Sequence, residues 1–281
     1  LTQAMARSAQ AAGAEIRCDT PVTEILHERG RATGVRLASG ETLRARQVAS
    51  NATTRVTFEQ LLPASALPAS FLRAVQRVDY SSASMKINLA VSELPDFLCC
   101  PGKQLGPQHR GTIHIGSSLE HIERAYDDAK YGLPSRAPVI EMTIPTSVDT
   151  TLAPPGHHIV QLFVQYAPYQ LAQSSWDRIK EAFADQCLAQ VDRYAPNFSR
   201  SVLHRQVLSP LDLERRFALT GGNIFHGAMP LHQLFSMRPV PGWSDYRTPL
   251  KNLYLCGAST HPGGGVMGAC GRNAAIEMLR D

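Results

Sequence analysis

The C-terminal segment constrains the fold most strongly, because it joins a short apolar strand, a glycine-rich loop and a helix. The strand is KNLYLCG (251–257), the loop is ASTHPGGGVMG (258–268) and the helix is ACGRNAAIEMLRD (269–281). Glycines let backbone approach a bound molecule closely, and the first turn of a helix offers free N–H groups and a positive dipole. The pattern predicts a binding loop for an anionic or electron-rich ligand, with a tight structural turn as the alternative.

The loop also matches a dinucleotide-binding motif. Gly263, Gly265 and Gly268 satisfy G-x-G-x-x-G after a strand and before a helix. A Rossmann unit requires a second parallel strand with an acidic residue about 20 positions later, whereas the sequence ends at Asp281. We therefore expect the loop to contact its ligand through backbone amides and not to act as a dinucleotide fingerprint.

Composition favours a globular protein and argues against a nucleic-acid partner. Among 281 residues, 43% are hydrophobic and 19% are charged, and the net charge of +4 comes from scattered basic residues. The chain begins with Leu1 within a helical pattern, which leads us to expect a piece of a longer protein. No transmembrane segment is predicted, since the longest stretch without charged residues, 150–176, contains prolines and glutamines.

Cysteine and histidine placement predicts neither disulfides nor a metal site. Six cysteines are too sparse for a disulfide scaffold, so we expect them to be reduced and the protein to be cytoplasmic, or in the mitochondrial matrix of a eukaryote. One group of candidate ligands has adjacent cysteines and irregular gaps that match no zinc spacing. Its members are Cys99, Cys100, His109, His114 and His121.

Periodicity predicts an alternation of helices and strands along the chain. An opening helix leads into a small antiparallel sheet, and a mixed sheet covered by helices follows from about residue 53. The predicted strands are 14–18, 21–28, several within 31–50, 84–92, 111–116, 138–145, 157–168 and 251–257. The predicted helices are 1–12, a broken helix within 55–78, 119–130, 176–194 and 269–281.

The segment LYLCGASTHPGGGVMGACGRNAA resembles the C-terminal flavin-binding segment of the phytoene desaturase branch of FAD-dependent oxidoreductases, a fold family that also contains the amine oxidases. Other stretches agree with this resemblance. They are AEIRCDTPVTEIL, GVRLASGE, QVASNA, MTIPTSVDTTLAPPGHHIVQLFVQYAPY and PLDLERRFALTGGNIFHGAMPL. The resemblance implies an α/β fold with an α+β substrate domain, namely the C-terminal part of an FAD/NAD(P)-binding fold without its N-terminal Rossmann unit.

The resemblance also implies a division of the chain. Residues 1–52 would form the interior part of an FAD-binding domain, 53–248 a substrate domain, and 249–281 the flavin-binding strand, loop and helix. FAD would be the cofactor of the full-length protein and absent from this chain alone. The expected partner is the N-terminal half or a second copy of the chain.

The family pattern assigns roles to loop residues. Gly257 and Ala258 would face the pyrophosphate and ribityl chain of FAD. A second set would present backbone N–H groups to the pyrimidine edge of the isoalloxazine, where charge accumulates on reduction. This set is Gly264, Gly265, Val266 and Met267. For the Met267 side chain, a plain core position is the alternative.

Three residues outside that set have open interpretations. Val22 would contact adenine through its backbone, or would be an ordinary strand residue facing a core. His261 would act as a catalytic base or would only position the loop, because a flavin can accept a hydride directly. Asn51 caps a helix or touches a ligand, and we leave it outside the predicted site.

Two classes of function follow. The first is an FAD-dependent dehydrogenase or desaturase that transfers a hydride from an apolar small molecule to flavin. The second is a non-catalytic regulatory or binding protein that retains the flavin fold as a scaffold. The segment MPLHQLFSM (229–237) is interpreted as a substrate-tunnel or peripheral membrane-contact surface, with ordinary core as the alternative.

Overall fold

The computed structural model describes residues 1–116 and 118–281. It contains two compact units. The discontinuous unit comprises Leu1–Val78 and Pro230–Asp281, and the inserted unit comprises Asp79–Met229. These boundaries differ from the predicted ones at 52/53 and 248/249, because the helical segment after residue 53 and the loops before residue 249 pack with the strands that flank them. The functional roles assigned to the domains stay a prediction.

The described residues form ten strands. They are β1 (Val22–Glu28), β2 (Arg31–Leu37), β3 (Thr42–Arg44), β4 (Val48–Ser50), β5 (Ser84–Val91), β6 (Thr112–Ile115), β7 (Val139–Thr143), β8 (His158–Gln165), β9 (Val202–Leu208) and β10 (Leu253–Leu255).

The same residues form seven α-helices. They are α1 (Thr2–Ala11), α2 (Ala69–Gln76), α3 (Leu119–Lys130), α4 (Trp176–Asp192), α5 (Phe198–Ser201), α6 (Pro210–Phe217) and α7 (Ala269–Arg280). No helix among them combines the length and the apolar character that a membrane span requires.

The discontinuous unit contains two small sheets. β1, β2 and β3 form an antiparallel sheet, as the sequence predicts. β4 does not join it. Instead, β4 pairs in parallel with β10, which brings Ser50 opposite Leu255. The core of this unit lies between these strands and α2, where the rings of Phe58 and Phe71 meet edge to face at 4.9 Å.

The inserted unit is built on a five-stranded sheet in the order β6-β7-β8-β5-β9. Every pairing is antiparallel, so the mixed sheet predicted for 53–248 is wrong for this unit. Strand alternation in a sequence defines which side chains share a face but not the direction of the neighbouring strand.

Strict alternation of burial shows which face of that sheet is the core. In β5, Met85, Ile87, Leu89 and Val91 are buried, whereas the residues between them are half-buried. The apolar stripe of α4 belongs to the same core, as its 3.6-residue periodicity predicts. The opposite face of the sheet carries polar side chains, among them Lys86 and Asn88, beside apolar ones such as Phe163.

Several local predictions are wrong. Residues 14–18 form no strand, since AEIRC has alternation but no neighbouring strand to pair with. β9 and α6 were not predicted. β9 is largely exposed and carries polar residues, so its sequence does not show the two-residue alternation of a strand. α6 begins with a recognisable capping box at Ser209 and Asp212.

Candidate functional site

The candidate site is the loop between β10 and α7. β10 is buried along its length, and the chain turns immediately after it. The turn is closed by Thr260, whose N–H and Oγ1 donate to the Gly257 carbonyl at 3.1 and 2.9 Å. The loop therefore leaves the sheet in a defined direction.

Gly257 is required by close packing at the end of the parallel pair. A Cβ at this position would collide with the backbone carbonyl of Asn51, which follows β4. This close approach explains a glycine here independently of any ligand. The position predicted to face the pyrophosphate is thus also one that the fold restricts to glycine.

The second half of the loop has an unusual backbone. Positive φ angles occur at Gly263 (101°), Gly265 (146°), Val266 (54°) and Gly268 (68°). A β-branched residue in the left-handed region is a true outlier, and such conformations cluster at binding sites. Val266 is also 90% exposed. The segment sustains backbone strain without burying the side chain that bears it.

The amide groups of this segment are available to a ligand. Within residues 1–116 and 118–281, no acceptor is hydrogen-bonded to the N–H groups of Gly264, Gly265, Val266 and Met267. These four residues are exposed or half-buried. Met267 is 57% exposed, so the alternative interpretation of its side chain as a core residue is wrong.

Hydrogen bonds beneath the loop fix its position. Tyr246 donates its hydroxyl to the His261 carbonyl at 2.8 Å and accepts from Asn273 of α7 at 2.8 Å. The buried Cys270 thiol lies 3.3 Å from the Gly263 carbonyl and 3.6 Å from the Thr260 carbonyl. Side chains thus contact three carbonyl groups of the loop, whereas the amides of 264–267 have no acceptor among the described residues.

Arg238 is a residue of this site that the sequence analysis missed. It is 1% exposed, and its Nε and Nη2 donate to the Ala258 carbonyl at 3.1 and 2.8 Å. The sequence does single out this residue, because Arg238 is the one Asp, Glu, Lys or Arg residue within the otherwise uncharged stretch 229–244. Its burial depends on tertiary packing and cannot be read from that pattern.

His261 lies at the start of the loop and is half-buried. Its ring is 6.1 Å from the ring of Phe235, measured between centroids. The position is compatible with either predicted role, as a base or as a positioning residue, and the choice between them stays a prediction.

Val22 is placed in a different cavity. It stands at the start of β1, is 39% exposed, and lines a surface cavity of about 330 Å³ whose lining residues all fall within 15–43. The structure thus does not bring Val22 together with the glycine loop. Any shared ligand must be long enough to contact the two places with different parts.

The polar face of the inserted sheet contains another group that the sequence analysis missed. Lys86 lies between Phe163 and Leu208 on the neighbouring strands, and its Nζ is 3.2 Å from Oε1 of Gln161. Burial lowers the pKa of the Lys86 ammonium below its usual range. Asn88, on the same face, has a buried Oδ1 without a hydrogen-bond partner.

The segment 229–237 is not ordinary core. Within the discontinuous unit, Leu231 is 84% exposed and Phe235 is 65% exposed. These side chains form an apolar surface near the loop, because the Phe235 ring contacts His261. Among the described residues, no group of three or more His, Cys, Asp or Glu side chains could hold a metal ion.

Comparison with known proteins places this geometry in context. Residues 1–279 match the model of the family described as flavin containing amine oxidoreductase. The chain is 49% identical over its whole length to half of "Pyridine nucleotide-disulfide oxidoreductase domain-containing protein 2" of Mus musculus. Over 96% of its length it is 25% identical to 51% of a phytoene desaturase (lycopene-forming) of Paracoccus.

A solved structure gives the same fold. An oxidoreductase from Methanosarcina mazei matches 99% of the chain with a TM-score of 0.59 at 19% identity, over 53% of that protein. The chain thus spans about half the length of the relatives it matches. The resemblance to the phytoene desaturase branch and the predicted α/β flavin fold are confirmed.

Proposed function

The chain belongs to the flavin-containing amine oxidoreductase family, and from this premise we propose that it forms the flavin-edge and substrate-binding part of an FAD-dependent oxidoreductase. Since it spans half of its relatives, the activity of the whole protein is part of this proposal. The reaction proposed is dehydrogenation or desaturation of an apolar small molecule.

One observation carries the proposal, namely the amides of 264–267 that have no hydrogen-bond acceptor among the described residues. Three of these residues, Gly265, Val266 and Met267, are exposed, and Gly265 and Val266 have positive φ angles. This is the geometry that stabilises negative charge on a bound ring. When bound there, the flavin supplies the hydride acceptor. The chain contributes orientation and amide dipoles.

The apolar surface beside the loop supports the proposed substrate class. Leu231, Phe235 and Met237 are exposed, and a surface of this kind suits an apolar molecule or the edge of a membrane from which such a molecule is taken. The proposal includes peripheral membrane contact at this surface. It also includes a cytoplasmic location, or the mitochondrial matrix in a eukaryote, supported by six free cysteines.

The absorbance spectrum of the protein purified from its native source tests this function. We expect flavin bands that bleach when an oxidisable apolar substrate is added without oxygen. A colourless protein whose binding properties do not depend on flavin would instead support the non-catalytic scaffold.

A further inference from the structure

Arg238 is a buried cation bound to the backbone of the loop. Arginine is almost never fully buried unless its charge and N–H groups are accommodated. Here two N–H groups of one guanidinium bind the single carbonyl of Ala258, and Nη1 lies 3.4 Å from the Gln233 carbonyl. A planar fork of donors holds a peptide in one orientation better than a flexible ammonium does.

This contact orients the peptide between Ala258 and Ser259. In a trans peptide the N–H group points away from the carbonyl oxygen. With the Ala258 carbonyl directed at Arg238, the Ser259 N–H is directed to the opposite side. Thr260 holds the Gly257 carbonyl in the same turn.

The amides left over by this arrangement need an acceptor. Across the described part of the chain, neither the Ala258 N–H nor the Ser259 N–H is hydrogen-bonded to an acceptor. Ser259 is only 3% exposed, so its amide has little access to water. Adjacent unpaired N–H groups in a turn form a concavity that binds anions.

We propose that Arg238 is a positioning residue for a diphosphate group, which the amides of Ala258 and Ser259 bind. The inference rests on the proposed function, because the diphosphate is that of a flavin dinucleotide. Arg238 does not touch the ligand in this account. It fixes the orientation of the peptide that does.

The experiment titrates the 281-residue chain with inorganic pyrophosphate and follows the Ala258 and Ser259 amide signals by NMR. In Arg238→Met we expect at least about a tenfold loss of pyrophosphate affinity, with signals of the inserted unit unchanged. Arg280→Met is the matched control, because it removes an exposed arginine of the same unit. We expect the control to bind pyrophosphate as the unmodified chain does.

A second variant covers the case in which Arg238→Met does not fold. Arg238→Lys keeps the charge but loses the fork, and we expect about a threefold loss of affinity. Unchanged affinity in the folded variants, or no response of these two amides in the unmodified chain, overturns the proposal. A titration with FAD separates the two claims. If pyrophosphate binds at 258–259 but FAD leaves the amides of 264–267 unaffected, the role of Arg238 stands. The assignment of 264–267 to the flavin edge is then refuted.

Discussion

Single residues of the glycine loop carry conformations that side chains rarely tolerate. Gly265 has a φ of 146°, a region that L-amino acids avoid, and Val266 accepts a left-handed φ at a cost of about 1–3 kcal/mol. The strain is sustained by contacts beneath the loop, including the hydroxyl of Tyr246. The loop conformation is therefore held by its neighbours and not by its own propensity.

In the full-length protein that the family resemblance implies, Gly265→Leu should weaken FAD binding at least about tenfold. The new side chain would force the backbone out of its positive φ and would cover the amides that face the ligand. Gly242→Leu is the matched control, because Gly242 also has a positive φ (82°) but lies outside the loop with open space around it. FAD titration by fluorescence measures both. Equal affinity of the Gly265 variant and the control would refute the loop assignment.

Replacement of Cys270 should loosen the loop in a donor-dependent way. Cys270→Val removes the thiol near the Thr260 and Gly263 carbonyls, and we expect a cost on the order of 0.5–1 kcal/mol. Cys270→Ser keeps a hydrogen-bond donor, so its loop amides should be better protected from hydrogen exchange than those of Cys270→Val. Hydrogen exchange of 260–268 is the measurement, and equal exchange in both variants would show that the thiol does not hold the loop.

His261→Ala should preserve flavin binding and most of the turnover. The hydride acceptor is the cofactor, whereas a required general base contributes about 10²- to 10⁴-fold to rate. Steady-state kinetics of the FAD-loaded protein decide between the two predicted roles. Loss of turnover with flavin still bound would make His261 a catalytic base.

At the level of elements, the sequence predicts those whose period is regular. β5 alternates strictly, β8 is rich in β-branched and aromatic residues, and α4 has an apolar stripe, so the sequence predicts their positions to within a few residues. Pairing was harder to predict. β4 joins β10 across about 200 residues of sequence, and no local pattern records that contact.

The inserted sheet makes a pH-dependent contribution through Lys86. Because its pKa is lowered on folding, the unfolded chain binds more protons in the window between the lowered pKa and the usual 10.5. The contribution of Lys86 to the free energy of unfolding therefore rises as pH increases through that window.

The variant Lys86→Met should show this directly. We expect it to be more stable than the unmodified chain near neutral pH, with the difference in Tm narrowing as pH approaches 10.5. Lys103→Met, an exposed lysine of the same unit, is the control. A difference that is constant with pH, or that widens, would contradict the burial of the Lys86 ammonium.

At the level of the whole molecule, the proposed function predicts that this chain makes only part of the contacts of a flavin dinucleotide. It spans half the length of its relatives, and it offers a few loop amides, each contributing about 0.5–1.5 kcal/mol net. Several surfaces are apolar and exposed. Leu231 and Phe235 are exposed, and so are Leu1 and Met5 at the start of the chain. No residue of α1 is buried.

The 281-residue chain expressed by itself should therefore purify without flavin and self-associate. We expect FAD affinity on the order of millimolar, which corresponds to about 4 kcal/mol. Absorbance spectroscopy and light scattering after size-exclusion chromatography test this. A yellow, monomeric and catalytically competent preparation would contradict it.

Hydrogen exchange of the chain with and without saturating FAD tests directly whether the glycine loop binds the flavin. If the amides of 264–267 bind the flavin edge, FAD slows exchange in the peptide covering 263–268. The exposed segment 98–103 of the inserted unit serves as the internal reference and stays unchanged. Saturation with FAD that leaves exchange in 263–268 unaltered would contradict the account.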